Sequence, residues 1–172
     1  MSDHRPVPGD PLQHTQPLRS QADFDQACLW AVGHVQHARS RRMTWVDPDF
    51  SAWPLDRPEL LQGLTAWLQL PQRRLVLIAR DFAAVARRCP RFVAWRRTWS
   101  HAIDAWSPGA GEDAVLPTLL IDDASLHVQR FDPGTGRGRA GLDEAAVRQW
   151  SGEIDALLQR CEAAFPAHHL GL

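Results

Sequence analysis

The apolar run at residues 75–79 constrains the fold of this chain more than any other segment. It reads Leu-Val-Leu-Ile-Ala, with no polar residue among the five. A run of this length is typical of a β-strand, and unbroken apolarity indicates that both faces of the strand are buried. A strand buried on both faces needs a layer of helices on each side. The sequence therefore predicts an α/β domain built around a central sheet.

Periodicity and capping residues predict the other elements of a single mixed sheet with helices on both faces. Residues 1–20 contain four prolines and are predicted to be a disordered arm, residues 21–166 the domain, and residues 167–172 a tail. The predicted order is helix, strand, helix, strand, helix, strand, strand, strand, helix. Helices are expected to begin at Ser20, Asp56, Asp81 and Asp143, and strands to cover residues 42–47, 75–79, 102–106, 118–122 and 126–131.

Composition narrows the range of functions. The 172 residues fit one domain, and the net charge of −1 argues against strong binding to nucleic acid or to an anionic membrane. Basic residues are all arginine, and tyrosine is also absent. The chain therefore has no lysine to form a Schiff base and no tyrosine to act as an acid.

The three cysteines and the hydropathy pattern indicate a cytoplasmic protein. Cys28, Cys89 and Cys161 are widely spaced among apolar residues, which is typical of free thiols in a reducing compartment. No apolar stretch of about 18 residues is present, so no membrane span is expected.

Charged side chains follow two of the predicted strands. Asp47 and Asp49 come directly after the first strand, and Arg80 and Asp81 come directly after the second. Ligands of open α/β sheets bind at the carboxyl ends of the strands, so these four residues are candidates for a binding site. The alternative is that the aspartates form a turn and cap a helix.

Arginine alternates with aromatic residues in residues 87–99. Helical geometry places Phe92, Trp95 and Trp99 on one core face, so most of the arginines are expected to be solvated. Arg96 is the exception because it falls on the apolar side. A buried guanidinium should pair with a carboxylate or stack on an indole, and the candidate acids are Asp49, Asp81 and Asp104.

An outward patch is expected on the first helix, where Trp30 and His37 project away from the core with His34 beside them. A protein contact fits this patch better than a metal ion because no third metal ligand is nearby. No metal site and no cofactor is predicted anywhere in the chain.

The segment Leu-Pro-Thr-Leu-Leu-Ile-Asp-Asp at residues 116–123, together with the order of elements, resembles one half of the phospholipase D-like fold. The active family carries His-x-Lys-x4-Asp there. In this register Leu116 replaces the nucleophilic histidine, Thr118 replaces the lysine, and only Asp123 matches. WVDPDFSAWPL, RRLVLIARDF, CPRFVAWRRTWSHAI and LPTLLIDD also resemble a proteobacterial domain family whose members occur alone or appended to acetyltransferases.

The resemblance implies a degenerate, non-catalytic domain that binds a ligand or a partner. Active relatives build one site between two such halves, so a homodimer or a docked protein partner is expected. One alternative is a phosphodiesterase or nuclease with a site rebuilt around His101 or His127, and another is an interaction module for an acetyltransferase. The pocket expected to bind a small phosphate- or carboxylate-bearing ligand is lined by Trp45, Asp47, Asp49, Trp53, Arg80, Asp81 and Arg96, with His101 and Asp123 as further candidates.

Overall fold

A computed structural model describes residues 15–167, which form one eight-stranded sheet with the strand order β1-β7-β6-β5-β2-β3-β4-β8. The strands are β1 (Gln16–Leu18), β2 (Arg42–Val46), β3 (Arg74–Ile78), β4 (Ile103–Pro108), β5 (Thr118–Asp122), β6 (Leu126–Arg130), β7 (Gly138–Leu142) and β8 (Cys161–Ala163). The helices are α1 (Gln21–His37), α2 (Pro58–Leu68), α3 (Ala83–Arg88), α4 (Pro90–Thr98) and α5 (Glu144–Leu158).

The sheet combines a parallel part and an antiparallel part, as the sequence predicts. Strands β2, β3 and β4 are parallel to one another. Helix α2 connects β2 to β3 along the chain, and helices α3 and α4 connect β3 to β4. Strands β5, β6 and β7 follow as antiparallel neighbours, and β5 also pairs antiparallel with β2. The carboxyl ends of β2, β3 and β6 therefore meet the start of β5 at one edge of the sheet, called here the carboxyl edge.

Side chains alternate between two hydrophobic layers. Met43 and Trp45 of β2 point into the layer formed with helices α1 to α4, whereas Val46 points into the layer under α5. Strand β3 alternates in the same way and is buried at Leu75 and Ile78. The prediction of a central strand covered on both faces is confirmed.

The start of the domain differs from the prediction. Ser20 caps α1 as expected, and its hydroxyl accepts a hydrogen bond from the backbone N–H of Asp23. Gln16–Leu18, however, does not belong to an arm: it pairs antiparallel with β7, and Leu18 is buried. Pro17 fits there because an edge strand needs hydrogen bonds on one side only. Predictions for residues 1–14 and 168–172 fall outside the described residues.

The end of the domain also differs from a simple helical pattern. The last helix, which was expected to begin at Asp143, ends at Leu158, and Cys161–Ala163 becomes an edge strand on β4. Strand β7, which contains Gly138 and Gly141, lies inside the sheet between β1 and β6. Gly138 is needed there, because a Cβ atom at this position would lie 1.9 Å from the carbonyl oxygen of Gln129.

Asp56 caps a different helix from the one expected. No side chain caps α2, which begins at Pro58. The Asp56 carboxylate instead accepts hydrogen bonds from the backbone N–H groups of Arg91 (2.8 Å) and Phe92 (3.1 Å) at the start of α4. None of the helices among residues 15–167 combines the length and apolarity that a membrane span requires.

Candidate functional site

The carboxyl edge brings the two predicted charged turns together. The backbone N–H groups of Arg80 and Asp81 both donate to the carbonyl oxygen of Pro48, at 3.0 and 3.3 Å. The turn after β2 and the turn after β3 are thus held side by side, as the rule for open α/β sheets predicts.

Asp47 lies in the interior, with 2% of its surface exposed. One carboxylate oxygen accepts the backbone N–H groups of Asp49 (3.0 Å) and Phe50 (2.6 Å), which closes the turn. The other oxygen accepts the hydroxyl of Thr118 at 2.5 Å. Both oxygens are engaged by the protein itself, so Asp47 serves the turn and links β2 to β5.

Arg130, at the end of β6, faces the same buried carboxylate. Its guanidinium lies 4.0 Å from Asp47, donates to the side-chain oxygen of Gln21 at 3.0 Å, and covers the ring of Phe24 at 5.0 Å. Sequence reasoning missed this residue. The alternation of β6 could have revealed it, because Leu126, Val128 and Arg130 share one inward face.

Trp45 and Trp53 fill the space where a ligand pocket was expected. Their rings stack with centroids 5.3 Å apart, and 0% and 6% of their surfaces are exposed. Phe24 and Phe50 pack edge-on against Trp53. Neither indole N–H has a hydrogen-bond partner within residues 15–167. The two indoles are therefore part of the core and present no open surface to a ligand.

The remaining charges at this edge stabilise turns and loops. Asp49 accepts the backbone N–H of Ser51 at 2.9 Å, and Asp81 accepts that of Ala83 at 2.8 Å at the start of α3. Arg80 is exposed and donates to the carbonyl oxygens of Glu112 (3.0 Å) and Ala114. It thus holds the loop that precedes β5 against the end of β3.

Arg96 is buried as predicted, but the prediction that it pairs with a carboxylate is wrong. Its guanidinium covers the ring of Phe165 at 4.6 Å, and within residues 15–167 it makes no ion pair. Asp104 pairs with Arg74 instead, at 2.7 Å. Burial lowers the pKa of Arg96, and Asp104 offsets part of this effect. The sequence could not predict the contact, since Phe165 reaches Arg96 only because β8 joins the sheet.

His101 and Asp123 lie at the opposite edge of the sheet, away from Asp47. His101 is exposed, and its ring centroid lies 5.8 Å from that of Trp99 in a tilted arrangement, whereas Asp123 accepts the backbone N–H of Arg41 at 3.2 Å. The structure therefore divides the expected pocket residues between two edges.

The predicted patch on α1 is less open than expected. Trp30 is half-buried against the core, and its ring centroid lies 5.6 Å from that of His34 in a tilted arrangement. His37 is exposed near the end of the helix. The three residues lie on one helix, but Trp30 offers only part of its surface to a partner.

The residues that carry the resemblance are placed at the carboxyl edge and in β5. Leu116 is buried in the layer under α5, and Thr118 points to the opposite layer, where it meets Asp47. No cluster of three or more His, Cys, Asp or Glu side chains suited to a metal ion occurs in the part of the chain that the structure describes.

Known structures share this architecture. Nuc, a phospholipase D family member from Salmonella typhimurium, superposes with a TM-score of 0.57 at 8% identity, over 89% of this chain and 99% of Nuc. The chain has a phospholipase D-like fold. TrmBL2, an archaeal chromatin protein described as showing a novel mode of DNA binding, superposes with a TM-score of 0.63 at 7% identity. That match covers 95% of this chain but 57% of TrmBL2. No family model matches the sequence, and no curated protein is significantly similar to it.

Proposed function

We propose that the chain is a non-catalytic phospholipase D-like domain that functions by binding a second copy of itself. One observation carries the first half of this proposal. At the positions that the resemblance assigns to the catalytic His and Lys, Leu116 is buried in the core and Thr118 is hydrogen-bonded to Asp47. Phosphohistidine chemistry requires an imidazole, which leucine does not supply.

The rebuilt-site alternative receives less support from the geometry. A histidine that acts in acid–base catalysis must reach a carboxylate or the substrate in a concave site. His127 is buried, and its Nε2 lies 3.3 Å from the hydroxyl of Thr15. Neither His127 nor His101 lies within 4 Å of a carboxylate of residues 15–167.

Two exposed apolar side chains support binding at the carboxyl edge. Val115 is 95% exposed and Phe131 is 59% exposed. Val115 lies three residues before the start of β5, and Phe131 directly follows β6; Thr118 and Arg130 are paired between these strands. Because active relatives of this fold build one site between two halves, a second copy is the natural occupant of this edge.

Light scattering at micromolar concentrations tests the binding half of the proposal. We expect a dimer mass for the wild type and a monomer mass for Phe131→Glu, since a charge at the centre of an apolar interface is costly. Trp30→Glu is the matched comparison on the α1 patch, and we expect it to remain dimeric. A monomer mass for the wild type at all concentrations would exclude the homodimer.

Hydrolysis of bis-p-nitrophenyl phosphate, with and without divalent metals, tests the non-catalytic half. We expect no turnover above background. Turnover that disappears in His101→Ala or His127→Ala would establish the rebuilt-site alternative instead.

A further inference from the structure

A groove lies on the face of the sheet that α5 covers. It includes the first residues of β2 and β3, at the end of these strands opposite to the carboxyl edge. Its volume is about 180 Å³, and its lining consists of Arg42, Arg74, Val76, Asp104, Trp106 and Leu158. The first five residues come from the three parallel strands β2, β3 and β4, and Leu158 comes from the last turn of α5. The groove is thus built largely on rigid sheet positions.

Two arginines on adjacent strands line this groove. Arg42 and Arg74 are paired residues on neighbouring parallel strands, which places their Cα atoms roughly 4.8 Å apart. Arg74 forms an ion pair with Asp104 at 2.7 Å. Arg42 has no acidic partner within residues 15–167. Asp104 compensates the charge of Arg74, so the charge of Arg42 is left uncompensated. Like charges on adjacent strands also repel each other.

Apolar surface lies beside these charges. Trp106 is half-buried in β4 and packs against the layer under α5, and Val76 is buried beneath the groove. An indole offers a flat face to an aromatic or otherwise planar group. The groove therefore combines a cationic pair with a stacking surface, a pairing of features typical of small-molecule sites.

We propose that this groove binds a small organic anion, in which a carboxylate or phosphate monoester carries a flat apolar body. Arg42 and Arg74 bind the charged group, because guanidinium forks match both carboxylate and phosphate geometry. Trp106 contacts the flat body. The volume suits a ligand of the size of a substituted ring, below the roughly 300 Å³ at which drug-sized pockets begin. This site is separate from the carboxyl edge and does not depend on the function proposed for it.

Negative groups near the groove set the strength of binding. Asp104 lines the groove and competes with the ligand for Arg74. Asp123 directly follows β5, the strand that pairs with β2, and its carboxylate accepts the backbone N–H of Arg41. The carboxyl end of α5 adds a partial negative charge of about half a unit. Removal of the Asp104 charge should therefore tighten binding, and removal of the Arg42 charge should weaken it.

Calorimetric titration with phenyl phosphate, benzoate and inorganic phosphate tests the site. We expect the two ring-bearing anions to bind at least tenfold more tightly than inorganic phosphate, because Trp106 contacts the ring. Arg42→Gln should weaken binding at least tenfold, and Asp104→Asn should tighten it severalfold. Arg148→Gln is the matched control, because Arg148 is exposed on α5 and pairs with Glu144 outside the groove; its affinity should equal that of the wild type.

The ring-bearing probes also separate the two chemical sources. Preference for phenyl phosphate identifies a phosphate monoester as the natural class, and preference for benzoate identifies a carboxylate. The proposal is overturned if neither probe binds at millimolar concentration, or if Arg42→Gln binds as tightly as the Arg148→Gln control. Thermal melts of each variant confirm that a lost signal does not reflect unfolding.

Discussion

The hydroxyl of Thr118 donates a 2.5 Å hydrogen bond to the buried carboxylate of Asp47. Asp47 begins the turn after β2, and Thr118 begins β5. The bond is therefore an internal link between two strands. The polar groups of the edge are used to hold the fold together.

We predict that Thr118→Val destabilises the protein by about 1–3 kcal/mol, because the change keeps the shape of the side chain and leaves one Asp47 oxygen without its donor. Urea denaturation followed by circular dichroism measures the free energy of unfolding. Thr98→Val is the control, since Thr98 is exposed at the end of α4. Equal free energies for the two variants would show that the hydrogen bond contributes little.

The sequence was sufficient for the central elements because their signals are local. The apolar run at residues 75–79 identified β3, and Ser20 and Asp143 marked the starts of α1 and α5. Edge strands carry no such signal. Cys161–Ala163 has three residues and forms a strand only because β4 presents unpaired backbone groups beside it. Local pattern alone could not reveal that contact.

The candidate site was predictable in its location but not in its chemistry. The rule for carboxyl ends placed Asp47, Arg80 and Asp81 at one edge, where the structure also places them. It could not show whether their charges face solvent or the interior. That depends on Arg130 and Thr118, which arrive from strands far along the chain. The long-range contacts convert an apparent ligand pocket into a packed core.

We predict that Arg96→Met leaves stability unchanged or raises it by up to about 1 kcal/mol. The Nε and Nη1 atoms of Arg96 are buried without hydrogen-bond partners within residues 15–167, so an apolar side chain of similar length removes a cost of burial. Only the contact with Phe165 is lost. Arg97→Met, on the exposed side of α4, provides the matched control in the same urea experiment.

A loss of more than about 2 kcal/mol in Arg96→Met would contradict this account. It would indicate that Arg96 is paired after all, since breaking a buried ion pair typically costs about 3–5 kcal/mol. The comparison with Arg97→Met separates that outcome from a general effect of the substitution on helix α4.

We predict that Cys28 reacts with a thiol reagent only after unfolding. Burial raises the pKa of Cys28 well above its ordinary value, with a further contribution from Asp25, so little thiolate forms. Cys89 and Cys161 are partly exposed, although burial also raises their pKa values. With a reagent that releases one chromophore for each thiol that reacts, native protein should therefore release about two equivalents, and denatured protein three. Native Cys28→Ala should release as much chromophore as the native wild type. A release lower by one equivalent would contradict the prediction, because it would show that Cys28 reacts in the folded protein.

We predict that His127 makes the protein less stable in mild acid. Burial lowers the pKa of His127, Arg139 lowers it further, and Asp143 partly opposes the change. As the pH falls through about 6.5, the His127 imidazole therefore takes up a proton in the unfolded chain but stays neutral in the folded chain. The stability due to the neutral imidazole is fully present above that pH and is lost as the pH falls toward the folded-state pKa.

The free energy of unfolding, measured from pH 8 to pH 5, should fall less steeply in His127→Gln than in the wild type. His101→Gln, at an exposed position, should retain the wild-type slope; equal slopes for all three proteins would show that His127 does not carry this pH dependence.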